Sequence, residues 1–446
     1  MITPTLEQAK SYQSDYTIIP VALEIFSDIR TPMEVLKILK AKGRNPFILE
    51  SVENAESWGR YTFLGYNPAE SILDGDLRQI VSRYKSPRIE GLPAFTGGFV
   101  GSFDFNYINN KKFCLKLYKQ VICFDHMKQK IFLITNIETS DLETNYINAI
   151  SELKDMESLV VNGRAQSAPT GRLASEFSQS FTEEAFKEVV TKIKDRIANG
   201  EVDQVVPSIK FTADYDGDLL QTYRKLRTIN PSSYMFYIEF DNVHIAGASP
   251  ETLVSLKNGI VSTFPLAGTC KRVADDAENK AAIAKLLSDE KELAEHEMLV
   301  DLSKADLAKI CDDVVVEDYR SIKTCSHVYH IESKVRGKIK DGKDCFDALA
   351  VSLPAGTLCG AKGVSRDKAM AIIAEVEPEN RDIYGGAVGY IDFTGEMDLC
   401  IGIRMAVLRG GKVSVQAGAG VVSDSIPINE YNECCNKAKA MMEALG

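Results

Sequence analysis

The chain has 446 residues, 45% hydrophobic and 26% charged, enough to bury a large core in two or three domain-sized lobes. A net charge of −11 with no basic cluster argues against a nucleic-acid partner, though one local pocket can still hold a small anion. No apolar run approaches membrane-spanning length and no signal peptide is visible; ten scattered cysteines without a C-x-x-C pair read as reduced thiols in a cytoplasm.

Residues 17–150 mix strand-like runs at 45–49, 60–65 and 130–135 with short helices. Residues 155–180 are richer in Ser, Gly, Ala and Pro, which places an N-terminal lobe over 1–160, a linker over 161–180 and a second region over 181–446. A helix follows: Phe186, Val189, Val190, Ile193 and Ile197 form a 3.6-period stripe, Thr182 can cap its start and Gly200 follows its end. Residues 203–211 read as a strand. So do 259–264, feeding Pro265-Leu266-Ala267-Gly268-Thr269, an expected open turn with N–H groups and a hydroxyl free for an anion. Another helix is predicted over 288–311. Gly385-Gly-Ala-Val-Gly-Tyr-Ile-Asp-Phe393 echoes Gly97-Gly-Phe-Val-Gly-Ser-Phe-Asp-Phe105, and both look like a Gly-rich turn entering a strand. The chain ends in a helix with Cys434, Ala438, Met441 and Leu445 on its buried stripe. No regular βαβ rhythm is present. The expected class is therefore α+β, with large antiparallel sheets packed as a sandwich and helices outside.

Candidate chemistry lies mainly in the second region. Glu292 and Glu295, like Glu430 and Glu433, are three residues apart and so share a helix face. Two such faces could form a four-carboxylate cage suited to Mg²⁺, although solvated acidic faces are the commoner outcome. His330 fits a general acid/base or a hydrogen-bonded core histidine; zinc lacks a fourth ligand. Arg404 lies in an apolar run and needs an anion, from the protein or from a substrate. Gln416-Ala-Gly-Ala-Gly420 could offer backbone N–H groups. No dinucleotide fingerprint, Walker A, G-x-S-x-G or H-E-x-x-H motif occurs.

From about Phe47 to the C-terminus, ordered segments together resemble the chorismate-utilising enzymes, and within them the anthranilate synthase component I group. They include Ile48-Leu-Glu-Ser51, Asn230-Pro-Ser-Ser-Tyr-Met-Phe-Tyr237, Ala248-Ser-Pro-Glu251, Pro265 to Thr269, Ser326-His-Val-Tyr-His330, Pro354-Ala-Gly-Thr357, Tyr384 to Gly389, Gln416 to Gly420 and Asn436-Lys-Ala438. The resemblance implies Mg²⁺ held by Glu295 and Glu433, with Glu292 and Glu430 acting through waters, against the ring carboxylate of chorismate. Tyr384, Arg404 and the Gly418, Ala419 and Gly420 amides would hold the enolpyruvyl carboxylate. Gly268 and Thr269 would line the ring pocket, and Thr357 would approach the reacting centre. Glu251 is the candidate acid for the leaving hydroxyl, and His330 the candidate for assisting pyruvate elimination.

Two positions bear on which family reaction runs. Gln204 stands where water-activating relatives carry lysine, and Ala267 where aminodeoxychorismate synthases typically carry a nucleophilic lysine. Together they point to direct amination by ammonia. No glutamine amidotransferase module is recognisable, so a separate glutaminase subunit would supply the nitrogen. Glu50 and Ser51, opposite Ser233, Tyr234 and Met235, resemble a feedback site for tryptophan. The alternatives are an aminodeoxychorismate synthase component I, or a tryptophan-binding protein that has lost catalysis. The segment 360–370 is longer than its family counterpart, and no role is carried over to its lysine.

Overall fold

The computed structural model describes residues 2–51, 59–165, 171–325, 328–360 and 366–446. Their strands form a 13-stranded and a 10-stranded sheet, and helices pack outside them. The expected α+β class is what is found. Aromatic side chains join the sheets: Phe47 meets Tyr118 at 4.6 Å between ring centroids, and Phe63 meets Tyr390 at 6.1 Å, both edge-on. Such pairs add about 0.5–1.5 kcal/mol beyond the apolar area they bury.

Both sheets draw strands from either side of 161–180. In the larger sheet, Phe47–Glu50 pairs with Tyr234–Glu239, which continues through Val243–Ser249, Met405–Arg409 and Lys412–Gly418 to Ser208–Asp216. In the smaller sheet, Gly98–Phe103 pairs with Ala387–Asp392. These are the two echoing segments, with Gly101 directly opposite Gly389. A Cβ on Gly101 would lie 1.9 Å from the Cys114 carbonyl oxygen. One on Gly389, whose φ is +153°, would lie 2.1 Å from that of Asp398. The repeated glycines thus mark close backbone approach within one sheet.

The predicted helix at 183 is present as Glu183–Ala198, with Thr182 Oγ1 accepting from the Ala185 N–H at 3.2 Å. The described residues of 161–165 and 171–180 are more structured than a linker suggests: the helix Leu142–Asn162 reaches into the first, and Arg172–Leu173 and Ser178–Gln179 both pair with Ser208–Asp216. That strand begins later than the expected 203, because Pro207 has no N–H for a ladder; Val205 makes only an isolated bridge to Val421.

The segment expected to be a turn at 265–269 is instead most of a strand, Leu266–Lys271, paired with Val328–Ile339. Its register slips between Ala267 and Thr269, and Gly268 adopts φ +77° there. Pro at a strand entrance and Gly at a bulge resemble turn chemistry in sequence, but the partner strand decides otherwise. Glu290–Ala308 packs over this pair, and Pro427–Leu445 packs on Lys412–Gly418. No helix among the described residues is long and apolar enough to cross a membrane.

Candidate active site

The bulge at Gly268 places His330. Thr269 lies opposite His330 in the ladder, and Nδ1 of His330 is 3.0 Å from Thr269 Oγ1 and 3.2 Å from the Gly268 carbonyl oxygen. If Nδ1–H donates to that carbonyl, Nε2 keeps its lone pair. Burial holds the imidazole pKa down at about 4, with Arg404 and Lys323 opposing protonation further. His330 is therefore neutral near pH 7, with one ring nitrogen unprotonated.

Glu251 is different. Its Oε1 accepts from Thr357 Oγ1 at 3.1 Å, and no cation among the described residues forms an ion pair with it. Burial raises its carboxyl to about 7, against smaller lowering effects from Thr357, Lys323, Lys437 and Arg404. It can remain protonated at neutrality and donate.

Arg404 sits at φ +50° just beyond the strand Met397–Ile401. Its guanidinium makes no hydrogen bond or ion pair with the described residues; Tyr384, Glu433 and Glu251 act on it only at longer range, and burial lowers its pKa. A half-buried, unpartnered guanidinium is a carboxylate receptor in waiting. Tyr384 is buried beside Gly418, where a Cβ would lie 3.1 Å from its hydroxyl. At Gly420 a Cβ would lie 2.7 Å from Gln204 Nε2. The Ala419 N–H already donates to the Pro207 carbonyl at 3.2 Å, so not all three amides of this turn are free. Ala267 is buried one residue before the bulge.

The carboxylates come from two helices. Glu292 Oε2 lies 3.3 Å from where a Gly268 Cβ would stand, so that glycine leaves room for it. Glu295 reaches solvent at the rim. Partial burial, then the Glu292 and Glu433 charges, nevertheless push its carboxyl upward. Burial and Glu433 likewise raise Glu430, which a Ser425 hydrogen bond opposes. Among the described residues no three Asp, Glu, His or Cys side chains are already gathered as a closed metal group. Glu433 instead pairs with Lys437 at 2.6 Å, and Lys437 also donates to the Gly418 carbonyl at 3.0 Å.

The chain matches the chorismate binding enzyme family over residues 51–443. It is 38% identical to anthranilate synthase component 1 of Acetivibrio thermocellus, covering 100% of this chain and 99% of that protein. The chain belongs to the anthranilate synthase component 1 family of chorismate-binding enzymes. It is also 36% identical to the component 1 protein of Aquifex aeolicus, over 99% of this chain and 97% of that one. The solved anthranilate synthase component I of Streptococcus pneumoniae superposes with a TM-score of 0.76 at 34% identity, covering 94% of this chain and 98% of that chain. The menaquinone-specific isochorismate synthase of Escherichia coli shares the fold, with a TM-score of 0.78 at 20% identity over 100% and 99% of the two chains.

The segments resembling a family feedback site meet in the larger sheet, where Met235 pairs with Glu50. Glu50 is buried and accepts from Tyr223 Oη and Arg227 Nε, each at 2.5 Å. Ser51 Oγ is buried without a hydrogen-bond partner among the described residues. Ser233 Oγ donates to the Pro250 carbonyl at 3.4 Å, and Tyr234 Oη to Asp398 at 2.8 Å. Ser326 and His327, and residues 361–365 of the longer segment, lie outside the described residues. Two contributors carry no role in the sequence pattern by itself. Lys437 was legible as the i+4 neighbour of Glu433 on one helix face. Arg381, which sits behind Tyr384, had no local signal at all.

Proposed function

We propose that this protein is the chorismate-aminating subunit of an anthranilate synthase, a lyase that converts chorismate and ammonia to anthranilate, pyruvate and water. The observation that carries the reading is Glu251, an enclosed carboxyl whose hydrogen bond comes from the neutral Thr357 hydroxyl and which Arg404 influences only at longer range. Ammonia forms a bond to ring carbon 2, the ring double bonds shift, and the carbon-4 hydroxyl leaves with the Glu251 proton as water. In the second step the proton at carbon 2 is removed and pyruvate is expelled, leaving the aromatic ring. Neutral His330 would assist that elimination through Nε2. Gln204 and Ala267 provide neither a base for water nor an internal amine, so the nitrogen comes from outside.

The chemistry of the acidic cluster fits Mg²⁺. Its donors are all oxygens, and burial together with repulsion between neighbouring glutamates raises Glu295 and Glu430, which a bound cation would relieve. Glu295 and Glu433 would hold the ion, with Glu292 and Glu430 behind water. When bound, the ion supplies positive charge for the ring carboxylate. Arg404 and Tyr384 orient the enolpyruvyl carboxylate, while Gly268 and Thr269 bound the ring. A separate glutamine amidotransferase subunit supplies ammonia. Tryptophan binds at Glu50 and Ser51, against Ser233, Tyr234 and Met235, and inhibits.

The test is to incubate the purified chain with chorismate, Mg²⁺ and ammonium and to follow anthranilate fluorescence. Fluorescence that depends on all three supports the reading. An aminated ring product accumulating without pyruvate release overturns it in favour of an aminodeoxychorismate-type reaction.

A further inference from the structure

Behind the pocket lies an ion pair that meets the groups assigned to substrate only where Arg381 stands against the Tyr384 ring. Arg381 is 5% exposed, and its Nε donates to Glu377 Oε2 at 2.9 Å. Its Nη1 donates to the Leu358 carbonyl at 2.6 Å, and its Nη2 to the Val206 carbonyl at 2.5 Å. The guanidinium carbon stands 4.6 Å from the Phe105 ring centroid and 5.7 Å from that of Tyr384. Glu377 Oε1 accepts from the Ser208 N–H at 2.8 Å and its hydroxyl at 2.7 Å, and that hydroxyl accepts from Gln416 Nε2 at 2.8 Å. The Val206 N–H closes the ring of contacts by donating to the Cys359 carbonyl at 3.3 Å.

These partners are distributed in a telling way. Leu358 follows Thr357, Val206 follows Gln204 by two residues, and Gln416 leads into Gly418. Three segments that carry site residues are therefore tied to one guanidinium–carboxylate pair, Gln416 through the Ser208 hydroxyl. Burying such a pair is weak evidence for stability, because apolar replacements of similar volume are often as stable. What arginine uniquely supplies is a rigid fork of donors able to fix several acceptors at once.

We propose that Arg381, together with Glu377, is a positioning residue for the chorismate reaction, setting Thr357 against Glu251 and Tyr384 against the Gly418 turn. The inference rests on the function proposed above. A misplacement near 1 Å can cost about a hundredfold in rate. Lysine at 381 keeps the charge but not the fork.

The experiment compares wild type with Arg381→Lys, Glu377→Gln and the milder Ser208→Ala, using Lys40→Met as a control that breaks the remote buried pair with Glu239. Melting temperature, kcat, KM for chorismate with ammonium, and the ratio of aminated intermediate to anthranilate are measured for each. Arg381→Lys is expected to lower kcat by about tenfold to a hundredfold, raise KM and increase the share of released intermediate. Ser208→Ala should shift the same quantities less, and Lys40→Met should change only the melting temperature. Activity losses that merely follow the folded fraction, with KM and product ratio unchanged in Arg381→Lys or Ser208→Ala, overturn the assignment. An inactive but folded wild type instead overturns the function itself.

Discussion

Glu50 and Glu251 are both carboxyl groups largely enclosed by protein, and they are provided for in opposite ways. Glu50 is met by a guanidinium and a phenol, each at 2.5 Å, so its charge is compensated where it stands. Glu251 has one neutral hydroxyl partner, and burial raises it to about 7. The first arrangement suits a fixed charge that a ligand amine could share, and the second a proton to be given away. The same contrast separates two arginines: Arg381 is saturated by protein acceptors, whereas the half-buried Arg404 guanidinium has none among the described residues. Where the protein completes its own pairing the region is a scaffold, and where it withholds a partner the substrate is expected to bring one.

The contrast can be broken most strongly at Glu251. Glu251→Gln keeps the shape and removes the acid, so kcat for anthranilate should fall by about 10²–10⁴-fold with little change in melting temperature. A near-normal rate would place the acid elsewhere. Glu50→Gln should leave the uninhibited rate within about twofold but remove the tryptophan response; stranding Arg227 should cost about 1–3 kcal/mol in a denaturant titration. Retained inhibition with intact tryptophan binding would separate Glu50 from the effector site.

The pH dependence sharpens the comparison. Glu251 donates only while protonated, so its active fraction declines as pH rises through about 7. The rate divided by free NH₃ concentration should then drop about tenfold per pH unit above that point. A flat normalised profile to pH 9 would remove Glu251 from the acid role. The smallest effect concerns Thr357, whose hydrogen bond favours the charged carboxylate and lowers Glu251. Thr357→Val should therefore move the descending limb to higher pH, and a shift to lower pH would contradict this sign.

Local pattern made part of the molecule legible. The Thr182 cap and the stripe from Phe186 to Ile197 identify a helix without help, because both are set within a few residues. The glutamate pairs on two helices and the Gly-rich echo were likewise readable, and the ordered segments named the family. Other features depended on distant neighbours. Pro265 to Thr269 looked like a turn because Pro and Gly carry the same local meaning at a bulged strand; only the pairing with His330 shows which it is.

By itself the sequence determined the helix at 183 and the two glutamate-bearing helices, the family and the residue types available for chemistry, since these rest on short-range periodicity and on motif identity. Tertiary structure decided which glutamate is raised by burial and which is paired, and which arginine has no partner among the described residues. Those outcomes depend on burial and on contacts such as Glu50 with Arg227 or Thr357 with Glu251, which join residues more than 100 positions apart in the chain. Electrostatics responds to distance in space, and chain order does not record it.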